Sequence, residues 1–426
     1  GNLTLAGGAV SVTEGSGTNL LGTGSASSLT LVSGGDITQS GTLSVTGLAT
    51  FNAPTTNDIV LGNTSNAFAS LSVAQGRHAT LADADGFAIG GGGINAVGTV
   101  TLNTTGPVNQ TAAIVAGNLA LIGVGGNYSL ANTSVSNNVS GNVAANTGQV
   151  DFRNTTSTLT VGTANGVTGI TTSGPLRLES SGTAMTIDAI LATTSGTGAV
   201  TLVNGGLLSL NANIAANAAV AQTGTGTVTI TGPRSIVTSG DQVSFASAVT
   251  LAGTTTSIDT TGSSATAGNN IVFAGTVTGS SAGAQNFSLN AGTGGDISFA
   301  GAVGSTRLGN LSIANANDVL FNSTVGVTTV VQSAGTGNTT INGALTATGG
   351  NVNLTNTRIQ LNSSVTATGQ LVRLSATASG VSQTSGGIQA DNLELLGSGS
   401  FNISSATNNI ANSFAANISG DLQFRD

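Results

Sequence analysis

The sequence predicts an all-β protein: a coil of parallel strands, that is a parallel β-helix or β-solenoid, closing one turn every ~20–28 residues. Three observations carry the prediction. Apolar and polar residues alternate strictly over short runs, as in Leu29-Thr-Leu31, Leu43-Ser-Val45, Leu71-Ser-Val73, Val200-Thr-Leu202, Leu208-Ser-Leu210 and Phe287-Ser-Leu289. A period of two places the apolar residues on one face of a strand and the hydroxyls on the other. Second, Gly, Asn, Ser and Thr separate these runs and supply tight corners. Third, no segment keeps an apolar i, i+3, i+4 stripe for the ~10–12 residues a helix needs. The nearest, Ile214 to Val220, is short and rich in alanine.

The strands recur at coil spacing. An apolar-x-apolar-x-x-x-apolar motif stands at 242–249 (QVSFASAV), 270–277 (NIVFAGTV), 296–303 (DISFAGAV) and 318–325 (DVLFNSTV). Looser copies follow at 340–345 and 358–365. One position of the motif falls at Phe245, Phe273, Phe299, Phe321, Ile341 and Leu361. Steps of this size are too short for domains and fit single turns of a solenoid. These six residues are expected to form one stacked interior ladder.

A longer repeat is superimposed. NLALIG at 118–123 returns as NLELLG at 392–397, VAAN at 143–146 as FAAN at 414–417, and VDFRN at 150–154 as LQFRD at 422–426. No linker or charge block interrupts the pattern, so residues 1–426 read as one continuous array. Because the chain stops at the phase it passed at Asn154, a longer natural chain is expected. About 19 turns at ~4.8 Å each would stack to a length on the order of 90 Å.

Composition excludes several functional classes. Only 6% of residues are charged and the net charge is −8, with every cation an Arg, so no basic stripe exists for nucleic acid. Cysteine is absent and His78 is the single histidine, which removes thiol chemistry, Cys-based zinc sites and His-rich metal sites. No apolar run approaches the ~18–20 residues of a membrane span. With 64 glycines and 4 prolines the chain stays below the roughly 25–30% typical of low-complexity disorder.

The stretches at 35–53 (GDITQSGTLSVTGLATFNA), 57–63 (NDIVLGN), 118–132 (NLALIGVGGNYSLAN), 165–174 (NGVTGITTSG) and 290–321 resemble the repeats of filamentous-haemagglutinin-like exoproteins. These are large bacterial surface adhesins exported by two-partner or autotransporter-like routes. The resemblance implies a right-handed parallel β-helix, export to the cell surface, and a role in adhesion or biofilm.

Candidate chemistry is sparse. Enzymes that cut polysaccharides on this fold need clustered carboxylates with cations nearby. The densest cluster is Arg77, His78, Asp83 and Asp85. Asp83 and Asp85, in Asp-x-Asp-Gly, are the candidate metal ligands, but the remaining ligands of an EF-hand loop are missing. The expected alternative is a solvated loop protruding from the stack. Asp36, Asp241, Asp296 and Asp421 each follow a glycine singly and read as turn residues that bond their own backbone. Asn-x-Ser/Thr at Asn63, Asn103, Asn127, Asn154, Asn286, Asn310 and Asn402 follows largely from composition.

The reading is a non-enzymatic, extracellular structural or adhesive rod of a bacterial surface exoprotein, without cofactor or resident metal. Its expected partners are cell-surface carbohydrate or protein receptors, or further copies of itself. A self-assembling filament or sheath subunit is the alternative, and a polysaccharide-active enzyme stands behind both.

Overall fold

A computed structural model describes residues 1–262 and 266–426. Short strands dominate, and among the described residues there is no α-helix. Even the segment nearest to a helical pattern becomes strand, Ile214–Ala216 and then Val220–Gln222. The chain divides into two compact units, residues 1–208 and 209–426. Each is a β-solenoid whose coils pair in parallel with the coils before and after them.

In the first unit, Ile37, Ile59, Ala79, Val100, Leu119, Val143 and Val161 follow one another from coil to coil in direct register. All seven are fully buried. Side chains alternate between core and surface in strands such as Ile59–Leu61 and Leu159–Val161, whereas beside Val100, Leu119 and Val143 the next residues Thr101, Ala120 and Ala144 are buried as well. The apolar half of the alternation therefore forms a continuous column, and dispersion contacts along it hold the coils together.

In the second unit, Phe245 pairs with Phe273, Phe273 with Phe299, and Phe299 with Phe321; Ile341 and Leu361 continue the column. The rings stack face to face, with centroids 5.5, 5.2 and 5.3 Å apart and planes within 5° of parallel. Phe287 meets Phe273 edge-on at 5.6 Å. Parallel pairing in register imposes the offset stack, because every coil repeats the same rotamer one strand spacing along.

Coil length varies more widely than the motif spacing predicts. The offset between paired residues is as short as 17, from Asn2 to Asn19, and as long as 31, from Asp259 to Asn290. The difference lies in the corners. At the closest of them glycine is obligatory: a Cβ on Gly41 would lie 1.7 Å from the carbonyl oxygen of Gly22 in the preceding coil.

Many strands end in a polar residue that points inward. Thr172, Asn204, Gln222 and Gln383 are all buried. Each bends into its own corner and donates to a nearby glycine carbonyl, Gly174, Gly206, Gly224 and Gly386 respectively, at 2.7–2.8 Å. A corner has no ladder to satisfy its carbonyls, so an inward amide or hydroxyl does it instead. The Phe column lies between two such residues, since Gln222 is in register with Phe245 and Gln383 with Leu361.

An antiparallel hairpin, Thr163–Ala164 with Val167–Thr168, departs from the parallel pattern in the first unit. Ala164 packs on the buried alanines Ala120 and Ala144, and the turn residue Asn165 donates to Thr101 Oγ1 at 3.0 Å. Asn165 has φ +45°, a left-handed conformation that Asn tolerates better than most side chains.

Candidate functional site

The four residues of the sequence cluster do not converge. Arg77 and His78 precede the strand Ala79–Asp83, and Asp83 closes it, which puts the two groups roughly 16 Å apart at ~3.3 Å per residue. Each has a different partner.

Arg77 reaches back one coil to Asp58 in a two-pronged ion pair, Nε to Oδ1 at 2.8 Å and a terminal nitrogen to Oδ2 at 2.7 Å. The guanidinium holds the Asp58 carboxyl below the ordinary aspartate range. His78 Nδ1 accepts the backbone N–H of Thr99 at 2.8 Å.

Asp83 is buried at 1% exposure, which corrects the expectation of a solvated loop. Its Oδ2 accepts the N–H of Phe68 at 2.7 Å, and its Oδ1 accepts those of Asp85 and Gly86 at 3.1 and 2.7 Å. Burial raises its pKa, against the pull of the three N–H donors. Asp85 is exposed. It lines a shallow depression of ≈ 380 Å³ with Ser44, Thr46 and Phe68, and no other titratable side chain borders that depression. Among the described residues, no three His, Asp or Glu side chains gather as a metal site would require.

The role of Asp83 becomes clear from its neighbours. Gln39 and Asn66 bond each other, Nε2 to Oδ1 at 2.8 Å and Nδ2 to Oε1 at 3.0 Å. Asn66 also accepts the N–H of Leu43 and donates to the carbonyl of Ala82, beside Asp83. The same constellation recurs further along the first unit. Asn137 bonds Gln110, accepts from the N–H of Ile114 and donates to the carbonyl of Arg153, while Asn154 accepts the N–H of Val139 as Asp83 accepts that of Phe68. A third copy lies in the second unit. There Asn408 bonds Gln383, Ile388 and Arg425, and Asp426 accepts the N–H of Ile410. Asp83 thus holds a repeated structural position that a neutral Asn fills equally well.

Residues 7–75 match a family model described as repeats of unknown function (DUF5649). The matched repeat contains Gln39 and Asn66; the pairs Gln110–Asn137 and Gln383–Asn408 lie outside the match. No curated protein and no solved structure matches the chain.

Two of the four isolated aspartates after glycine also need correction. Asp36 accepts the N–H of Asp58 at 2.8 Å, and Asp296 accepts that of Asp318 at 3.0 Å. They bond the next coil, not their own turn. Of the Asn-x-Ser/Thr sites, Asn154 is fully buried. Asn63 donates to the carbonyl of Gly41 at 3.0 Å, and Asn286 accepts the N–H of Asn310 at 2.9 Å.

Sequence reasoning missed one charged group. Asp151 and Arg153 alternate on one strand, and Arg177 and Glu179 lie opposite them in register. Arg153 meets Glu179 at 3.0 Å, Arg177 meets Asp151 at 3.0 Å, and Arg177 also pairs with Glu179. Burial would raise the Glu179 carboxyl, yet Arg177 and Arg153 hold it below its ordinary value. The signal is present in the sequence as Asp-x-Arg and Arg-x-Glu one coil apart. Among the described residues no helix is long and apolar enough to cross a membrane.

Proposed function

We propose that this chain is a non-enzymatic structural or adhesive shaft segment of a large exported bacterial surface protein. The observation that carries this reading is where the reactive groups are engaged. Arg77, His78 and Asp83 each bond a neighbouring coil or corner. Asp36 and Asp296 do the same. General acid and base catalysis needs two titratable groups held near one bond in contrasting environments. Groups engaged in this way, as clasps between coils, serve stiffness. Its partners would be carbohydrate or protein receptors met by exposed corners or by domains at the end of the shaft.

A filament or sheath subunit is the second reading, and an uncharged outer row favours it. Asn342 Nδ2 donates to Asn322 Oδ1 at 3.0 Å, and Asn362 Nδ2 to Asn342 Oδ1 at 2.9 Å. Such a row offers no charge to keep another copy away.

Electron microscopy of native material separates the two: single shafts tethered to cells support the first, continuous ordered filaments the second. A panel of acidic and neutral polysaccharides tests both against catalysis. Cleavage that is abolished by Asp83→Asn or Asp85→Asn would overturn the non-enzymatic reading.

A further inference from the structure

One seam of the first unit is closed by side chains as well as by strand pairing. Ile37, Ile59, Ala79, Val100, Leu119 and Val143 are in register, so the residues just before them, Asp36, Asp58, His78, Thr99, Asn118 and Asn142, form a column at the strand starts. At four of its five steps, a side-chain acceptor takes the backbone N–H of the next coil. Asp36 takes that of Asp58, Asp58 that of His78 at 3.3 Å, His78 that of Thr99 at 2.8 Å, and Asn118 that of Asn142 at 2.8 Å.

Three of these four acceptors are carboxylate or amide oxygens. The fourth is the only imidazole in the chain. A backbone N–H can donate to Nδ1 only while that nitrogen keeps its lone pair, which requires the neutral ring with its proton on Nε2. The ring has room because residue 98 is glycine: a Cβ there would fall 2.5 Å from both Cε1 and Nδ1 of His78.

We propose that His78 is a proton-operated clasp between the coils that begin at Ala79 and Val100. When Nδ1 takes up a proton it becomes a donor facing another donor, and the Thr99 N–H loses its acceptor. Two charged groups stand beside the ring. Asp58 lies on the preceding coil, with Oδ1 shared between the His78 N–H and Arg77, and Arg77 is the chain neighbour. On the Thr99 side stand Gly98 and Asn118, neither of which titrates; Asn118 Nδ2 reaches Thr99 Oγ1 at 3.5 Å. The other acceptors of the column keep their character through mildly acidic solution, so acid would loosen this seam at one coil. The inference rests on local geometry and is independent of the shaft reading.

The test is amide hydrogen exchange at Thr99 followed from about pH 8 to about pH 5, across the range in which imidazole titrates, beside the imidazole Cε1–H resonance. Rates are corrected for intrinsic exchange. With one histidine in the chain, that resonance has one source. Protection at Thr99 is expected to fall roughly two- to tenfold, the worth of one hydrogen bond, with the midpoint of the imidazole titration. The variant His78→Asn restores the acceptor type found at Asn118 and should keep Thr99 protected without a step. Protection in the parent that stays flat through the titration overturns the proposal. So does an equal step in His78→Asn.

Discussion

Gln110 and Asn137 hold each other inside the first solenoid unit by two amide hydrogen bonds of 3.1 Å, one in each direction. Both side chains are nearly fully buried. Asn137 further accepts the N–H of Ile114 and donates to the carbonyls of Leu130 and Arg153. One amide thereby satisfies backbone groups on two strands, at both ends of Ile114–Leu130 and near the end of Asn142–Asn154.

Asn137→Leu should be among the most damaging substitutions in the chain. It is close to isosteric, but it leaves an N–H and two carbonyls buried without partners. At about 1–3 kcal/mol for an unsatisfied buried group, a loss of about 3–5 kcal/mol is expected. Chemical denaturation of the parent and the variant reads it directly. A loss below about 1 kcal/mol would mean that water replaces the amide.

The Phe column makes a local prediction. Phe299→Ala removes a fully buried ring stacked on both sides and should cost about 3–5 kcal/mol. Phe299→Leu should cost clearly less. Because coils couple to their neighbours, amide exchange is expected to rise first in the strands Ile271–Phe273 and Val319–Phe321, which flank the site. Uniform loosening across the unit would contradict nearest-neighbour coupling.

Asp83→Ala tests the structural role of the buried carboxylate. Three N–H groups lose their acceptor, that of Phe68 buried and those of Asp85 and Gly86 part-buried, and a loss of about 2–4 kcal/mol is expected. The damage should appear at the Phe68 and Gly86 amides in exchange measurements. Unchanged exchange at both would remove Asp83 from the clasp.

The ion quartet should show as a pH dependence. The folded-state pKa of Glu179 is depressed, so its contribution is present above the unfolded value and is lost as pH falls through the folded one. In a partly exposed setting that contribution is about 1 kcal/mol or less. Thermal midpoints of the parent and Glu179→Gln should differ near neutral pH and converge once the pH has fallen below the ordinary glutamate range. A gap that persists in acid would point to packing instead of charge.

How far the sequence can be read depends on what each residue's neighbours are. Phe245 to Leu361 can be placed in one column from spacing alone, because an aromatic in an otherwise small-residue chain marks the coil each time it returns. Gln39, Gln110 and Gln383 cannot, since an inward glutamine at a strand end looks like any polar corner residue. The echo of VDFRN in LQFRD is plain, but the weaker echo in LAD at 81–83 is not, so Asp83 reads as solvated. Ion pairs between Asp151, Arg153, Arg177 and Glu179 depend on an offset that only the register reveals. Asp36 and Asp296 look alike in sequence whether they cap their own turn or the next coil.

The unequal coils carry a consequence for how such a chain can change. The path from Phe245 to Phe273 is longer than the path from Ile341 to Leu361, yet both steps advance the same column by one place. Several residues can therefore be inserted or deleted at a corner without moving any side chain off its face. Most protein folds confine such freedom to a few loops; here every turn has a corner at which length is negotiable. A foreign peptide grafted into a corner such as the one between Thr193 and Val200 would be displayed while the ladder beneath it kept its register. Lineages of such chains can diversify what they present, coil by coil, on an unchanging spine.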